Sequence, residues 1–403
     1  MRRALATVVS ACAAASVWSA VEVADGIGVA RDASTGVVTV TYSLSATDGE
    51  TEAIVTADLI GASGAVVTGA LDNATGDVFC RVSVGPAHTF AWKPGEAVAG
   101  LSTGCSFRLT AWSLSSPPDY MVIDMTGANG VSYYENAGQV PGGVKDRAYF
   151  LYKLLMRKIP AAQVRWHQGK AGTTVHQEQL QRWTTLTADF YIGVYELTRG
   201  QYWCVDTTEA GIRASALRKT DVTMLMPAQG MNFNEVYGEG TSIDSTKWLG
   251  KAYAKTGVRL TLPTEAQWEY ACRAGTAGER YGTLGSIAVY AGNAPTNASG
   301  TKIPAMGGTK LPNSWGLYDM IGNMYEYVLD WMNPSAYLSS EDALNPTGPA
   351  EYIDNTDLGH AGKMWRGGCF EYNSMLTATY PYAWYKWGAS GKYNGLRLAC
   401  PIQ

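Results

Sequence analysis

Seven cysteines and four histidines are the side chains in this 403-residue chain best suited to metal binding or nucleophilic attack. The histidines, His88, His167, His176 and His360, are scattered, and no two have the spacing of metal ligands. Cys12 lies in an apolar N-terminal run. The other six cysteines are Cys80, Cys105, Cys204, Cys272, Cys369 and Cys400, and none belongs to a Cys-x-x-Cys metal or redox motif. Cys80 with Cys105 and Cys369 with Cys400 are candidate disulfides; buried thiols are the alternative. Binding is the other chemistry open to the chain. Between Cys369 and Asn394, small residues are interleaved with Tyr, Trp, Lys and Asn. Tyr and Trp give large contact areas at low entropic cost, as in antibody loops. Core packing is the plainer reading of the same residues, and Trp387 is expected to be structural. Glu371 and Lys386 carry acid and base groups, but their spacing supports no catalytic pair.

The elements that must hold these groups fall into distinct stretches. Residues 21–115 read as a small all-β sandwich of the immunoglobulin or fibronectin kind. Val37–Tyr42, Ala53–Ala57, His88–Trp92 and Phe107–Trp112 have the β-branched, alternating character of strands. Residues 116–152 read as a linker, punctuated by Pro117-Pro118 and Pro141-Gly142-Gly143. From Lys153 to residue 403 the texture turns to Trp, Tyr and Gly with few long helices. Thr264 followed by Gln267 forms a capping box that opens a well-buried helix at Glu265. Thr198 is the expected cap of an earlier helix.

Composition narrows the class. Charged residues make up 16% and hydrophobic residues 46%, so the chain can bury sizeable cores and is not disordered. A net charge of −4 gives no basic field for nucleic acid. Met1-Arg2-Arg3, the apolar run Ala4–Val17 and the small residues at Ser19 and Ala20 predict a signal peptide over residues 1–20. After its cleavage no apolar run reaches the roughly 18 residues of a transmembrane helix. The expected location is therefore secreted, cell-surface or periplasmic.

From Arg157 to Ala399 the chain resembles the formylglycine-generating enzyme, or sulfatase-modifying factor, family. The resemblance is carried in order by Arg157–Ala161, Phe190–Thr198, Met226-Pro227, Arg259–Ala271, Pro312–Asn323, Tyr325–Tyr327, Arg366-Gly367-Gly368 and Gly395–Ala399. It implies an α+β domain with a variant of the C-type lectin fold. Active members bind copper through two cysteines a few residues beyond the Arg-Gly-Gly phrase. The matching positions here are Tyr372 and Thr377. Phenol and hydroxyl cannot replace soft thiolates on copper, and Cys369 alone would supply half a site, so copper is not expected. The related iron-dependent sulfoxide synthases need a histidine cluster that this chain lacks. The family also implies a structural calcium, held by the carboxylates of Asp319 and Glu326 and the carbonyls of Gly322 and Met324; the plainer reading is that Asp319 caps a turn and Glu326 pairs with an arginine.

The segment after Arg366-Gly367-Gly368 is similar to that of variable proteins of diversity-generating retroelements, in which a C-type lectin scaffold carries a hypervariable C-terminal surface. That resemblance places Glu371, Tyr372, Asn373, Met375, Leu376, Pro381, Ala383, Trp384, Tyr385, Lys386, Gly391, Lys392 and Tyr393 at the exchangeable, ligand-binding positions. The expected function is an exported, non-catalytic binder of an extracellular protein or glycan. The rival reading is an oxidoreductase of the family acting on a protein or peptide. The short Glu-Pro-Asn and Gln-Pro-Asp motifs of calcium-dependent sugar binders do not occur.

Overall fold

The computed structural model describes residues 21–24, 26–95, 104–128, 130–171, 181–207, 221–332, 342–349, 362–380, 382–383 and 391–402; for 221–222 and 382–383 only the backbone is described. The chain forms two compact units. One comprises Met1–Val122, Val131–Asp146 and Ile402–Gln403, the other Ile123–Gly130 and Arg147–Pro401. The expected signal peptide lies outside the described residues. Among the described residues no helix is long and apolar enough to cross a membrane.

The first unit is all-β. Strands Gly28–Arg31, Val38–Tyr42, His88–Trp92 and Thr75–Gly76 lie side by side in that order, all antiparallel. A second sheet places Glu52–Ile60 between Cys80–Ser83 and Ser106–Trp112. Alternation decides which side chains go inward: Val38, Val40 and Tyr42 are buried while Thr41 is exposed. Phe90 and Trp92 of the first sheet meet Phe107 of the second edge-on, with ring centroids 5.9 and 5.6 Å apart. Residues 116–152 do more than connect. They contain the strands Tyr120–Asp124 and Val131–Tyr134 and the short helix Ala148–Leu151. Gln139 in this stretch donates to Asp58 at 2.7 Å within the first unit.

In the second unit the strand Phe190–Gly193 pairs antiparallel with both Lys153–Ile159 and Ala399–Pro401. A separate sheet runs in the order Tyr382–Ala383, Lys363–Arg366, Tyr325–Trp331, Asn394–Gly395. Its last pair is parallel, and the others are antiparallel. Two helices start where their caps predict. Thr198 and Gln201 form a capping box for Arg199–Val205, and Thr264 and Gln267 do the same for Glu265–Arg273. The second of these helices buries seven of its nine residues and ends at Ala274 in the left-handed conformation. It packs Ala266, Trp268, Ala271 and Cys272 into a core with Phe190, Ile192, Leu317, Met320, Ile321 and Val328.

Candidate functional site

The turn after Gly316-Leu317-Tyr318 carries a buried polar network. Asp319, Gly322 and Asn323 all have positive φ, at 54°, 86° and 58°. A Cβ on Gly322 would meet the Val289 carbonyl oxygen at 2.4 Å, so both conformation and space demand glycine. This backbone aims several groups inward. Asn323 Nδ2 and the Met324 amide donate to the two oxygens of Glu196, at 2.6 and 2.9 Å. Asp319 accepts the Gly308 amide at 2.7 Å. Glu326 accepts Trp268 Nε1 at 2.6 Å and a fork of hydrogen bonds from Arg397, the shortest 2.7 Å. Arg397 also donates to the carbonyls of Gly193 and Tyr318, at 2.8 and 2.7 Å.

The electrostatics follow from burial. Glu196 is held well above the usual carboxylate range, first by burial and then by the charges of Asp319 and Glu326. For Arg397, burial opposes the charge, but Glu326, Glu196 and Asp319 outweigh it and raise its pKa. Arg397 thus feels three buried acids and is hydrogen-bonded to Glu326. The calcium expectation counts Glu326 among the ligands, and this carboxylate has protein partners. Both oxygens of Glu326 are committed to Arg397 and Trp268, so this carboxylate is not open to a cation. Among the described residues no group of three or more His, Cys, Asp or Glu side chains is arranged to hold a metal ion. A hard divalent ion needs several oxygens converging on one point, and with Glu326 engaged by Arg397 and Trp268 the rest of that set is Asp319 and the carbonyls of Gly322 and Met324.

The Arg-Gly-Gly phrase launches the C-terminal segment. Arg366 is fully buried and reaches Glu269 at 2.7 Å, Glu265 at 3.1 Å and the Ala378 carbonyl, which fastens the segment to the capped helix. Gly367 and Gly368 have φ of 89° and 78°. A Cβ on Gly368 would stand 2.8 Å from the Leu376 side chain and 2.9 Å from the Met375 carbonyl oxygen. The glycines therefore let the segment fold back on itself.

Within the segment the sequence-derived positions separate by burial. Tyr372, Asn373 and Lys392 are exposed, while Glu371, Met375, Gly391 and Tyr393 are half-buried. Leu376 is a correction: it is 1% exposed and belongs to the main core. Its apolar side chain fills space beside Gly368, where no ligand could touch it. Ala383 pairs with Met364 through its backbone. Pro381, Trp384, Tyr385 and Lys386 lie outside the described residues, as does Trp387.

The exposed positions sit on a fixed base. Tyr372 and Tyr393 have ring centroids 5.3 Å apart, and Phe370 lies 5.9 Å beneath Tyr393. Tyr325 packs against both Trp365 and Tyr372, at 5.6 and 6.4 Å, and its hydroxyl donates to the Met375 sulfur at 3.2 Å. Lys392 pairs with Glu371 at 2.7 Å and lies 4.9 Å over the Tyr393 ring. Burial raises the Glu371 pKa, yet hydrogen bonds from Lys392 and Tyr393 and the lysine charges bring it below its ordinary value. Burial pushes the Cys369 thiol up to about 12, so it is not a thiolate. Cys80 and Cys369 are both free thiols, so neither candidate disulfide is formed.

Sequence reasoning missed the buried partners Glu196, Trp268 and Arg397. An arginine flanked by leucines in Gly395-Leu396-Arg397-Leu398-Ala399 was the available signal, because a charge inside an apolar stretch needs an internal counter-charge.

Residues 159–402 match the sulfatase-modifying factor enzyme 1-like domain family. The chain belongs to this family. Its second unit is the α+β, C-type lectin-like domain of the sulfatase-modifying factor type. The formylglycine-generating enzyme of Mus musculus is 27% identical over 168 residues, which cover 36% of this chain and 44% of that enzyme. The serine/threonine-protein kinase pkn1 of Chlamydia pneumoniae is 33% identical over 125 residues, 31% of this chain and 18% of the kinase. The matched stretches thus span less than half of either relative. Among solved structures, Treponema denticola variable protein 1 aligns with a TM-score of 0.49 at 20% identity, over 62% of this chain and 95% of that one.

Proposed function

We propose that this chain is an exported, non-catalytic binding protein whose sulfatase-modifying factor-type domain presents the segment 369–393 to an extracellular protein or glycan. One observation carries the reading: Glu371, Tyr372, Asn373, Lys392 and Tyr393 are grouped at or near the surface over a packed base of Phe370, Tyr325 and Trp365. A rigid base beneath exchangeable side chains lowers the entropy lost on binding. The donor set argues against the family's oxidative chemistry. Tyr372 and Thr377 stand where two thiolates would be needed, and the nearby Cys369 thiol is buried and protonated.

The test is to sequence the codons for Cys369 to Asn394 across a population of source cells. Substitutions confined to the surface positions, with Phe370 and Leu376 constant, would support a diversified binding face. Uniform codons would remove diversification and leave a binder of fixed specificity. Conversion of a peptide cysteine to an aldehyde by the purified protein would overturn the non-catalytic reading. Export is tested separately by mass spectrometry of the mature N-terminus.

A further inference from the structure

A hollow in the second unit lies between the helix Trp248–Thr256, the start of the helix Glu265–Arg273 and the edge strand Ala399–Pro401. Its volume is about 550 Å3, within the range that holds small organic ligands. None of its lining residues belongs to the segment 369–393. The walls are apolar: Phe190, Leu249, Leu260, Leu262 and Leu329. One wall is set by Gly250, because a Cβ there would lie 2.4 Å from Ser245 Cα and 2.5 Å from the Asp244 carbonyl oxygen. The helix can therefore press directly on the Asp244–Ser245 backbone.

The polar groups around this hollow are not equivalent. Thr264 and Gln267 satisfy each other's hydrogen bonds in the capping box, so they hold the wall rather than await a ligand. Thr261 uses its backbone to bridge Ala399, at 2.8 and 2.7 Å. Among the described residues its hydroxyl and that of Ser245 have no hydrogen-bond partner. Arg259 is exposed at the lining, 5.8 Å from the Tyr253 ring, and among the described residues it meets no carboxylate. An apolar chamber favours a hydrocarbon body, and a guanidinium without a counter-charge favours a planar anion that can accept two parallel hydrogen bonds.

We propose that this hollow binds a small apolar monocarboxylate, with its hydrocarbon body against Phe190, Leu249, Leu260 and Leu262 and its carboxylate on Arg259. The site is independent of the recognition segment, so either reading survives failure of the other.

The experiment is isothermal titration calorimetry of the full chain with octanoate and with its neutral counterpart 1-octanol. Two variants are compared, Arg259→Gln and Ser245→Trp, each checked for an unchanged melting profile. Both substituted residues are exposed, so the core is left intact. Octanoate should bind more tightly than octanol. Arg259→Gln should weaken octanoate about tenfold while leaving octanol unchanged, as expected for loss of a charge-assisted hydrogen bond. Ser245→Trp should fill the hollow and abolish both. No octanoate binding, or equal affinity for the two probes, overturns the proposal. So does octanoate binding that is indifferent to either substitution.

Discussion

Two carboxylate–cation pairs of the second unit play opposite parts. Arg397 and Glu326 are buried to within 1% and have lost their water, while Lys392 and Glu371 remain 46% and 29% exposed. In the first pair every hydrogen-bonding position of the carboxylate is met inside the protein, by Arg397 and Trp268. In the second, water competes for both partners and screens their attraction. The difference teaches that the same chemical pair fixes the scaffold when desolvated and stays exchangeable when wet. A recognition surface needs side chains of the second sort supported by residues of the first.

The largest effect should come from breaking the buried pair. Arg397→Met leaves Glu326 buried without its counter-charge, and should cost about 3–5 kcal/mol in denaturant unfolding. Replacing Glu326 as well should cost less than the sum of the two single changes. A loss below about 1 kcal/mol for Arg397→Met would show that water reaches the network. Next comes the contrast within the segment itself. Leu376→Ala should lose about 2–5 kcal/mol as a core truncation, whereas Tyr372→Ala, at a site 40% exposed, should lose far less. Equal losses would erase the distinction between base and surface.

A pH titration of stability probes another buried acid and base, Asp330 and Lys363. Burial, and then the charge of Glu265, raise Asp330 to about 7. Burial depresses Lys363 to about 8, against the pull of Asp330. Between roughly pH 4 and 7 the folded state holds a proton on Asp330 that the unfolded chain has lost, so stability should fall as pH rises. Between about pH 8 and 10.5 the unfolded chain holds a proton that folded Lys363 lacks, so stability should rise again. Chemical denaturation across this range should show a trough between pH 7 and 8. Asp330→Asn should flatten its acid side, and an unchanged slope would mean that Asp330 ionises normally.

Smaller still is the exposed pair. Lys392→Ala should change stability by at most about 1 kcal/mol, less at high salt, and a larger loss would place Lys392 in the scaffold. Removal of calcium by a chelator should leave the melting temperature unmoved, because Glu326 is already matched by Arg397. A clear drop would require Arg397 to yield its place to the ion.

The legible parts of the molecule were those built by near neighbours. The capping boxes at Thr198 and Thr264 join residues three apart, and the alternation of Val38–Tyr42 works within one strand, so both could be read directly. The family phrases likewise marked the turn at Asp319–Asn323. Pairing of Glu326 with an arginine was one of two readings of that turn, but nothing near Glu326 in sequence says that the arginine lies 71 residues downstream. Leu376 was misassigned for a related reason: its neighbours Met375 and Thr377 are half-buried, and only the fold-back at Gly368 turns it inward.

By itself, then, the amino-acid order determined the α+β, C-type lectin-like domain and the starts of its capped helices. Tertiary structure alone decided that Glu326 belongs to Arg397, that Cys369 is buried beyond reactivity and that Arg259 stands beside an apolar hollow. The physical reason is range. Caps and alternation act between residues a few positions apart, whereas desolvation and charge pairing depend on which distant segments displace the water around a side chain.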